Sequence, residues 1–133
     1  SKFEFVLYCV LNMTMDPNEL IERGNQLRAE HRPLEALKCY AQVFIDYPDA
    51  AAAWNNYGNV LREIGQPNRA IPFLQHALVL NPNSPTANFN LAVSYLLSGN
   101  YQQGWPAYEA RWAYEHLAAH FRNLIVLDGP AKI

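Results

Sequence analysis

Cysteine is almost absent from this chain: Cys9 and Cys39 stand alone among 133 residues with no CxxC spacing. Neither a disulfide framework nor a thiolate zinc site is expected, and the ordinary role of two such side chains is that of small buried apolar groups in a reducing compartment. Charge is sparse as well. Charged residues make up 17% of the chain, the formal net charge is -2, and no run of Lys or Arg occurs. Nothing here would neutralise several phosphates, so nucleic acid is not expected as a partner. The most apolar stretch, residues 3–11, is far below the roughly 20 residues a helix needs to cross a bilayer, so no membrane partner is expected. It follows Lys2 as the apolar part of a signal peptide would, but Asn12, Met13, Thr14, Met15 and Asp16 make a poor small-residue cleavage site. Two expectations remain for it: a helical or strand-like flank covering the exposed end of the adjoining helices, or sequence lying ahead of a natural start at Met15. Catalytic patterns are missing too. No Ser/His/Asp or Cys/His pairing, glycine-rich phosphate loop or acidic dyad is recognisable, so an enzyme is not expected and no catalytic residue is assigned. His116 and His120 are four apart, a spacing that puts two imidazoles on one helix face, yet no third ligand accompanies them. A solvated or stacking pair is expected there, with no metal and no cofactor. Glu109 and Glu115, near Arg111 and His116, read as surface charges.

Half of the residues are apolar and 13% aromatic, enough for a continuous core. What organises them is a repeat of 34 residues. With Pro17, Ala51 and Pro85 as register starts, Gly24, Gly58 and Ala92 share one slot and Leu27, Leu61 and Tyr95 another. Ala36, Ala70 and Gly104 follow, then Tyr40, Leu74 and Tyr108, with Pro48 and Pro82 closing the first two units. Such a period marks an architecture in which each unit buries its apolar face only against its neighbours.

Each unit reads as two helices. Asp16, Pro17 and Glu19 make a helix start: Asp accepts from first-turn amides, Pro takes the first helical position, and Glu sits three residues after the cap. Leu20, Ile21 and Leu27 carry the apolar stripe to about Glu30, where His31, Arg32 and Pro33 end it. Pro33 opens a second helix with Leu37, Tyr40, Val43 and Phe44 at helical spacing, stopped by Tyr47, Pro48 and Asp49. The second unit is cleaner. Trp54, Tyr57, Leu61 and Ile64 lie on one helix, Gly65, Gln66 and Pro67 form the turn, and Ile71, Leu74, Ala77 and Leu78 lie on the next, closed by Asn81 and Pro82. Gly65 suits the left-handed residue that ends a helix; Pro72, inside a helix, removes one backbone hydrogen bond and is expected to kink it mildly. Ser84 and Pro85 cap the third unit, with Leu91, Tyr95 and Leu96 on its first helix and Gly99 and Asn100 at its turn. Its second helix departs from the pattern. Gly104 replaces the alanine, Arg111 stands where Val43 and Ala77 stood, and no proline closes the unit. The aromatic set Trp105, Tyr108, Trp112 and Tyr114 is expected in the core or as an end cap. Residues 124–127 read as a short strand or extended tail running into a turn at 128–130.

These residues resemble the tetratricopeptide repeat (TPR) family. The likeness covers residues 17 to about 116 and is strongest in the second unit, where Trp54, Tyr57, Gly58, Leu61, Ala70, Leu74, Ala77 and Pro82 fill all eight signature slots. Tyr stands there for a Leu, and Leu twice for an aromatic. The resemblance implies an all-α fold: a right-handed superhelical stack of antiparallel helix-turn-helix repeats over residues 16–116, in units 17–50, 51–84 and 85–118. An apolar flank at 1–15 and an extension at 117–133 complete the chain. The drift after Gly104 resembles the last repeat of bacterial repeat proteins that continue into a glycosyltransferase-like domain. Residues 128–130 fall where those chains carry a Trp-x-Gly junction, though the Trp itself is absent.

In this family the first helix of each unit lines the concave surface. That places Asn18, Ile21, Asn25 and Arg28 on the inner face, then Ala52, Asn55, Asn59 and Arg62, then Thr86, Phe89, Val93 and Leu96, with Asn56 and Asn90 sharing one further slot. The face is amide-rich and weakly basic at one end and apolar at the other. The aligned Asn56 and Asn90 resemble the asparagine ladder by which the repeat arm of O-linked N-acetylglucosamine transferase holds extended peptides. An amide both donates and accepts, so it pairs with peptide N–H and C=O whatever the side chain. The other reading is that these asparagines tolerate a solvated face or bond within the repeats. The cations with which related proteins clamp acidic chaperone tails are replaced by Ile21, Phe89 and Val93, so that ligand is not expected. The expected function is a cytoplasmic interaction module holding a protein or peptide segment against Asn25, Arg28, Asn55, Asn56, Asn59, Arg62, Phe89, Asn90 and Val93. Two alternatives are the recognition arm of a glycosyltransferase-type protein and a homo-oligomer joined through repeat ends or apolar flanks.

Overall fold

The computed structural model describes residues 1–4, 6–7 and 15–110. Residues 15–110 form six helices: α1 (Pro17–Ala29), α2 (Pro33–Asp46), α3 (Ala51–Glu63), α4 (Pro67–Leu80), α5 (Pro85–Leu97) and α6 (Tyr101–Glu109). No strand occurs among the described residues. The tail expected at 124–127, the turn at 128–130, His116 and His120, and the positions of Cys9, Arg111, Trp112, Tyr114 and Glu115 lie outside them.

Local chemistry accounts for the helix ends. Asp16 Oδ1 accepts from the Glu19 N–H at 2.9 Å, Ser84 Oγ from Ala87 at 3.2 Å and Asn100 Oδ1 from Gln103 at 3.3 Å, each satisfying an amide that a helix start leaves unpaired. Proline occupies the first turn of α1, α2, α4 and α5, where its missing N–H costs nothing. Inside α4, Pro72 is accommodated in one unbroken helix. The turns within the units use a left-handed residue: Gly65 and Gly99 at φ 87°, and His31 at φ 60°. A side chain in that conformation costs roughly 1–2 kcal/mol, and the first unit carries that strain.

The two helices of each unit meet at a glycine that has no room for a methyl group. A Cβ on Gly24 would stand 2.5 Å from Tyr40 Cε1, and one on Gly58 would stand 2.6 Å from Leu74 Cγ. The glycine slot of the sequence period is therefore the seat of the large residue from the second helix. In the third unit the roles are exchanged: Ala92 fills the glycine slot, and Gly104 takes the alanine slot, where a Cβ would meet Leu96 Cδ2 at 2.6 Å and the Leu96 backbone nitrogen at 3.0 Å. Gly104 thus has a packing reason of its own.

Successive units join through their first helices, α1 on α3 and α3 on α5, while α2 packs on α3 and α4 on α5. The buried residues follow that order, with Leu27, Ala36, Cys39, Tyr40 and Val60 together, Leu20, Val43 and Ala53 together, and Leu61, Ala70 and Leu74 together. At the joint of units one and two, Phe44 stacks on Trp54 at 4.0 Å and meets Tyr57 edge-on at 5.3 Å. Trp54 Nε1 donates to the Pro48 carbonyl at 2.9 Å. One unit later Asn88 stands in the slot of Trp54, and its amide donates to the Pro82 carbonyl at 3.4 Å and to that of Ser84 at 2.9 Å.

Of the described flank residues, Met15 packs on the group of Leu20, Val43 and Ala53, and Phe3, Val6 and Leu7 are exposed. Of the two places expected for the aromatic set, Trp105 does not take the core: it is 51% exposed and touches Tyr108 edge-on with centroids 6.0 Å apart. Overpacking predicts that Gly24→Ala lowers unfolding free energy by about 1–3 kcal/mol. His31→Gly, which relieves the left-handed strain, is expected to raise it by about 0.5–1 kcal/mol. Urea denaturation of both variants checks the pair of opposite signs.

Candidate functional site: the inner face and its amide network

Because α1, α3 and α5 pack directly on one another, their facing residues share one edge of the stack. Asn25 and Asn56 meet there: Asn56 Nδ2 donates to Asn25 Oδ1 at 3.1 Å, and the Tyr40 hydroxyl donates to the same oxygen at 2.5 Å. Tyr40 has crossed the bare backbone at Gly24 to reach it. Burial pushes the Tyr40 hydroxyl up to about 12, which keeps it a neutral donor throughout the physiological range.

The second joint is wired differently. By the repeat, Asn59 and Asn90 would pair as Asn25 and Asn56 do; instead Asn90 Nδ2 donates to Asn55 Oδ1 at 3.0 Å, and Asn55 Nδ2 donates to Thr86 Oγ1 at 3.3 Å. Asn59 is engaged within its own helix, donating to Glu63 at 3.4 Å and accepting from Arg62 Nη2. The cause is one substitution in the period. Leu74 replaces Tyr40 one unit on, so no hydroxyl reaches over to hold Asn59. Asn90 is buried and forms part of the joint between α3 and α5.

The basic residues differ in the same way. Arg28 Nε and Nη2 both donate to the Glu63 carboxylate, at 2.5–3.1 Å, a fork geometry that ties α1 to α3. Those hydrogen bonds hold the Glu63 carboxyl below, and the Arg28 guanidinium above, their usual ranges. A depressed carboxylate contributes above its unfolded value and loses that contribution as pH falls through its folded value. The tie therefore stands at neutral pH and is lost in the acid range. Both side chains are part-exposed, so its weight is modest. Arg62, in the slot of Arg28, has no such partner: its Nη2 returns to Asn59 and its Nε is buried without a hydrogen bond.

At the far end Phe89 is 41% exposed and Val93 half-buried, with the Phe89 ring 6.1 Å from Tyr108. The nine predicted residues thus fall into three groups: a wired amide pair at Asn25 and Asn56, a second amide set at Asn55, Asn59 and Asn90 with the two arginines, and an apolar end. Glu63 and the Tyr40 hydroxyl were not anticipated; the signal for Glu63 is an acid 35 residues after Arg28, one beyond the period. A separate cleft of about 300 Å³ lies on unit one, lined by Arg23, Leu27, Glu35, Lys38 and Cys39, where burial pushes the thiol up and keeps it protonated. Among the described residues no three His, Cys, Asp or Glu gather as a metal site, and no helix is long and apolar enough to cross a membrane.

Two family models, each described as Tetratricopeptide repeat, match residues 21–85 and 73–105. The chain carries tetratricopeptide repeats. The TPR fold is also that of solved structures at low identity. One is "Second TPR of Spaghetti (RPAP3) bound to HSP90 peptide SRMEEVD", at TM-score 0.70 and 16% identity, covering 73% of this chain and 90% of that one. Another is "MamA MSR-1 C2", at TM-score 0.67 and 19% identity, covering 78% of this chain and 60% of that one. No curated protein matches the chain. The likeness to repeats that precede a glycosyltransferase-like domain gains no support from these matches.

Tyr40 makes the link between TPR core and inner face testable. Tyr40→Phe removes one buried hydrogen bond and is expected to cost about 1 kcal/mol. A tyrosine raised in the folded state stabilises below its unfolded value of about 10 and loses that contribution as pH rises through about 12. Thermal melts in the alkaline range should show a falling Tm for the wild type and a flatter profile for Tyr40→Phe.

Proposed function

We propose that the chain is a protein-interaction module whose inner face, along α1, α3 and α5, binds an extended segment of a partner protein. The observation that carries this reading is the state of the first amide pair. Asn25 Oδ1 is doubly occupied and Asn56 Nδ2 singly so, and among the described residues no protein group bonds Asn25 Nδ2 or Asn56 Oδ1. The network fixes both side chains and leaves one donor group and one acceptor pointing away from their shared contact. That pair matches the alternating N–H and C=O of an extended backbone. Rigid placement lowers the entropy lost on binding. That the solved TPR of Spaghetti holds a peptide is in keeping with this use of the fold.

The ligand class differs from an acidic chain terminus, because Ile21, Phe89 and Val93 stand at the clamp positions. In an NMR titration with a pool of extended peptides, shifts should concentrate on α1, α3 and α5. Asn25→Ala combined with Asn56→Ala should weaken binding about tenfold with an unchanged circular dichroism spectrum. Equal binding by the double variant refutes the reading.

A further inference from the structure

The polar contacts between first helices obey two offsets. Asn25 to Asn56 and Asn55 to Thr86 span 31 residues, while Arg28 to Glu63 and Asn55 to Asn90 span 35. Each residue on this edge therefore faces two positions of the next unit, one turn apart. Applied to Arg62, the offsets give Val93 and Leu97. The position that supplies Glu63 to Arg28 supplies a leucine to Arg62, and that leucine is 60% exposed.

Arg62 is thus the cation for which the next repeat brings no acid. Glu63, its neighbour in sequence, is already gripped through both oxygens by Arg28. Arg62 makes one hydrogen bond, to the neutral Asn59, shares the field of Glu63 without bonding it, and has its Nε shut from solvent with nothing to donate to. Beside it runs an apolar strip: Phe89, Val93 and Leu97 follow at four-residue spacing on α5. A guanidinium set against apolar surface is shielded from solvent, so a carboxylate brought to it gains more than it would at an open surface.

We propose that Arg62 reads an acidic side chain of the bound segment, and that Phe89, Val93 and Leu97 seat an apolar side chain two residues away from it. This rests on the inner face being the peptide-binding surface. In an extended segment residues i and i+2 point to the same side about 7 Å apart, close to one helical turn along α5. The ligand carboxylate supplies the acid that Glu63 supplies to Arg28 at the first joint, accepting from the terminal nitrogens of Arg62. Charge complementarity selects an acidic-x-apolar internal segment over a basic one.

The test uses two peptides labelled on the N-terminal amine, fluorescein-Ser-Gly-Ser-Glu-Ser-Leu-Ser-Gly-Ser-amide and its Glu-to-Gln counterpart, with the whole chain and fluorescence anisotropy. Blocked termini remove any contribution from a terminal carboxylate. The wild type should bind the Glu peptide about tenfold more tightly than the Gln peptide. Arg62→Gln should erase that preference, bringing the affinity for the Glu peptide down to that for the Gln peptide. Leu97→Glu, which returns an acid to the vacant position, should erase it too, and it does so without removing the arginine, so a folding defect of one variant does not decide the outcome. If the wild type binds both peptides equally, the proposal is wrong while the groove reading stands. If it binds neither but other extended peptides shift α1, α3 and α5, the assigned ligand class is wrong and the groove reading again stands. If no peptide binds, both fall.

Discussion

The close approach of two helices at a residue without a side chain is the constraint on which the rest of this molecule depends. At Gly24 the ring of Tyr40 lies where a Cβ would be, which buries the ring completely and carries its hydroxyl through to Asn25 on the opposite edge. One residue is both core filler and organiser of the amide pair. At Gly58 the same seat is taken by Leu74, which packs as closely but ends in methyl groups. The hydroxyl is lost, and Asn59 turns to Arg62 and Glu63. A substitution that looks conservative for packing has rewired the polar edge of the next unit.

The joints between units add a second layer of order. A period of 34 does not place equivalent residues opposite one another; it places each residue between positions 31 and 35 further on. That stagger is what brings Asn56 to Asn25 and Glu63 to Arg28. It also explains why a ladder of asparagines becomes internally bonded: an amide aimed at the next helix finds the next amide before it finds solvent. The two readings of these asparagines are therefore compatible. Bonds within the stack orient the side chains and leave some of their hydrogen-bonding capacity over.

Much of the fold was legible because caps, turns and the glycine slot are local chemistry. Asp16, Ser84, Gly65 and Gly99 do what their residue types require. His31 was read only as a helix stop; that it would enter the left-handed region could be inferred solely from its alignment with the two glycines. The site was less legible. Membership of the inner face came from register, but which amide pairs with which depended on Tyr40 and Leu74, residues of the other helix in each unit. The drift at Gly104 read as a mark of ancestry, whereas the contact with Leu96 gives it a cause within the unit. Asn88 stands in place of Trp54, and the same carbonyl position receives a hydrogen bond from either residue.

The aromatic cluster at the first joint has no counterpart at the second. The positions that hold Phe44, Trp54, Tyr57 and Phe73 hold Leu78, Asn88, Leu91 and Ala107 one unit later, so rings hold the first joint, whereas the second is held by aliphatic packing of Leu91 and by the hydrogen bonds of Asn90 to Asn55 and Gln75 to Tyr95. In a chain of units coupled only to their neighbours, cohesion is a sum of such joints, and the weakest opens first. Release of the third unit would separate the apolar strip from Arg62 while leaving Asn25 and Asn56 in place. On the proposed reading, a segment that spans both ends of the inner face is a splint across that second joint, which would couple occupancy to cooperative unfolding.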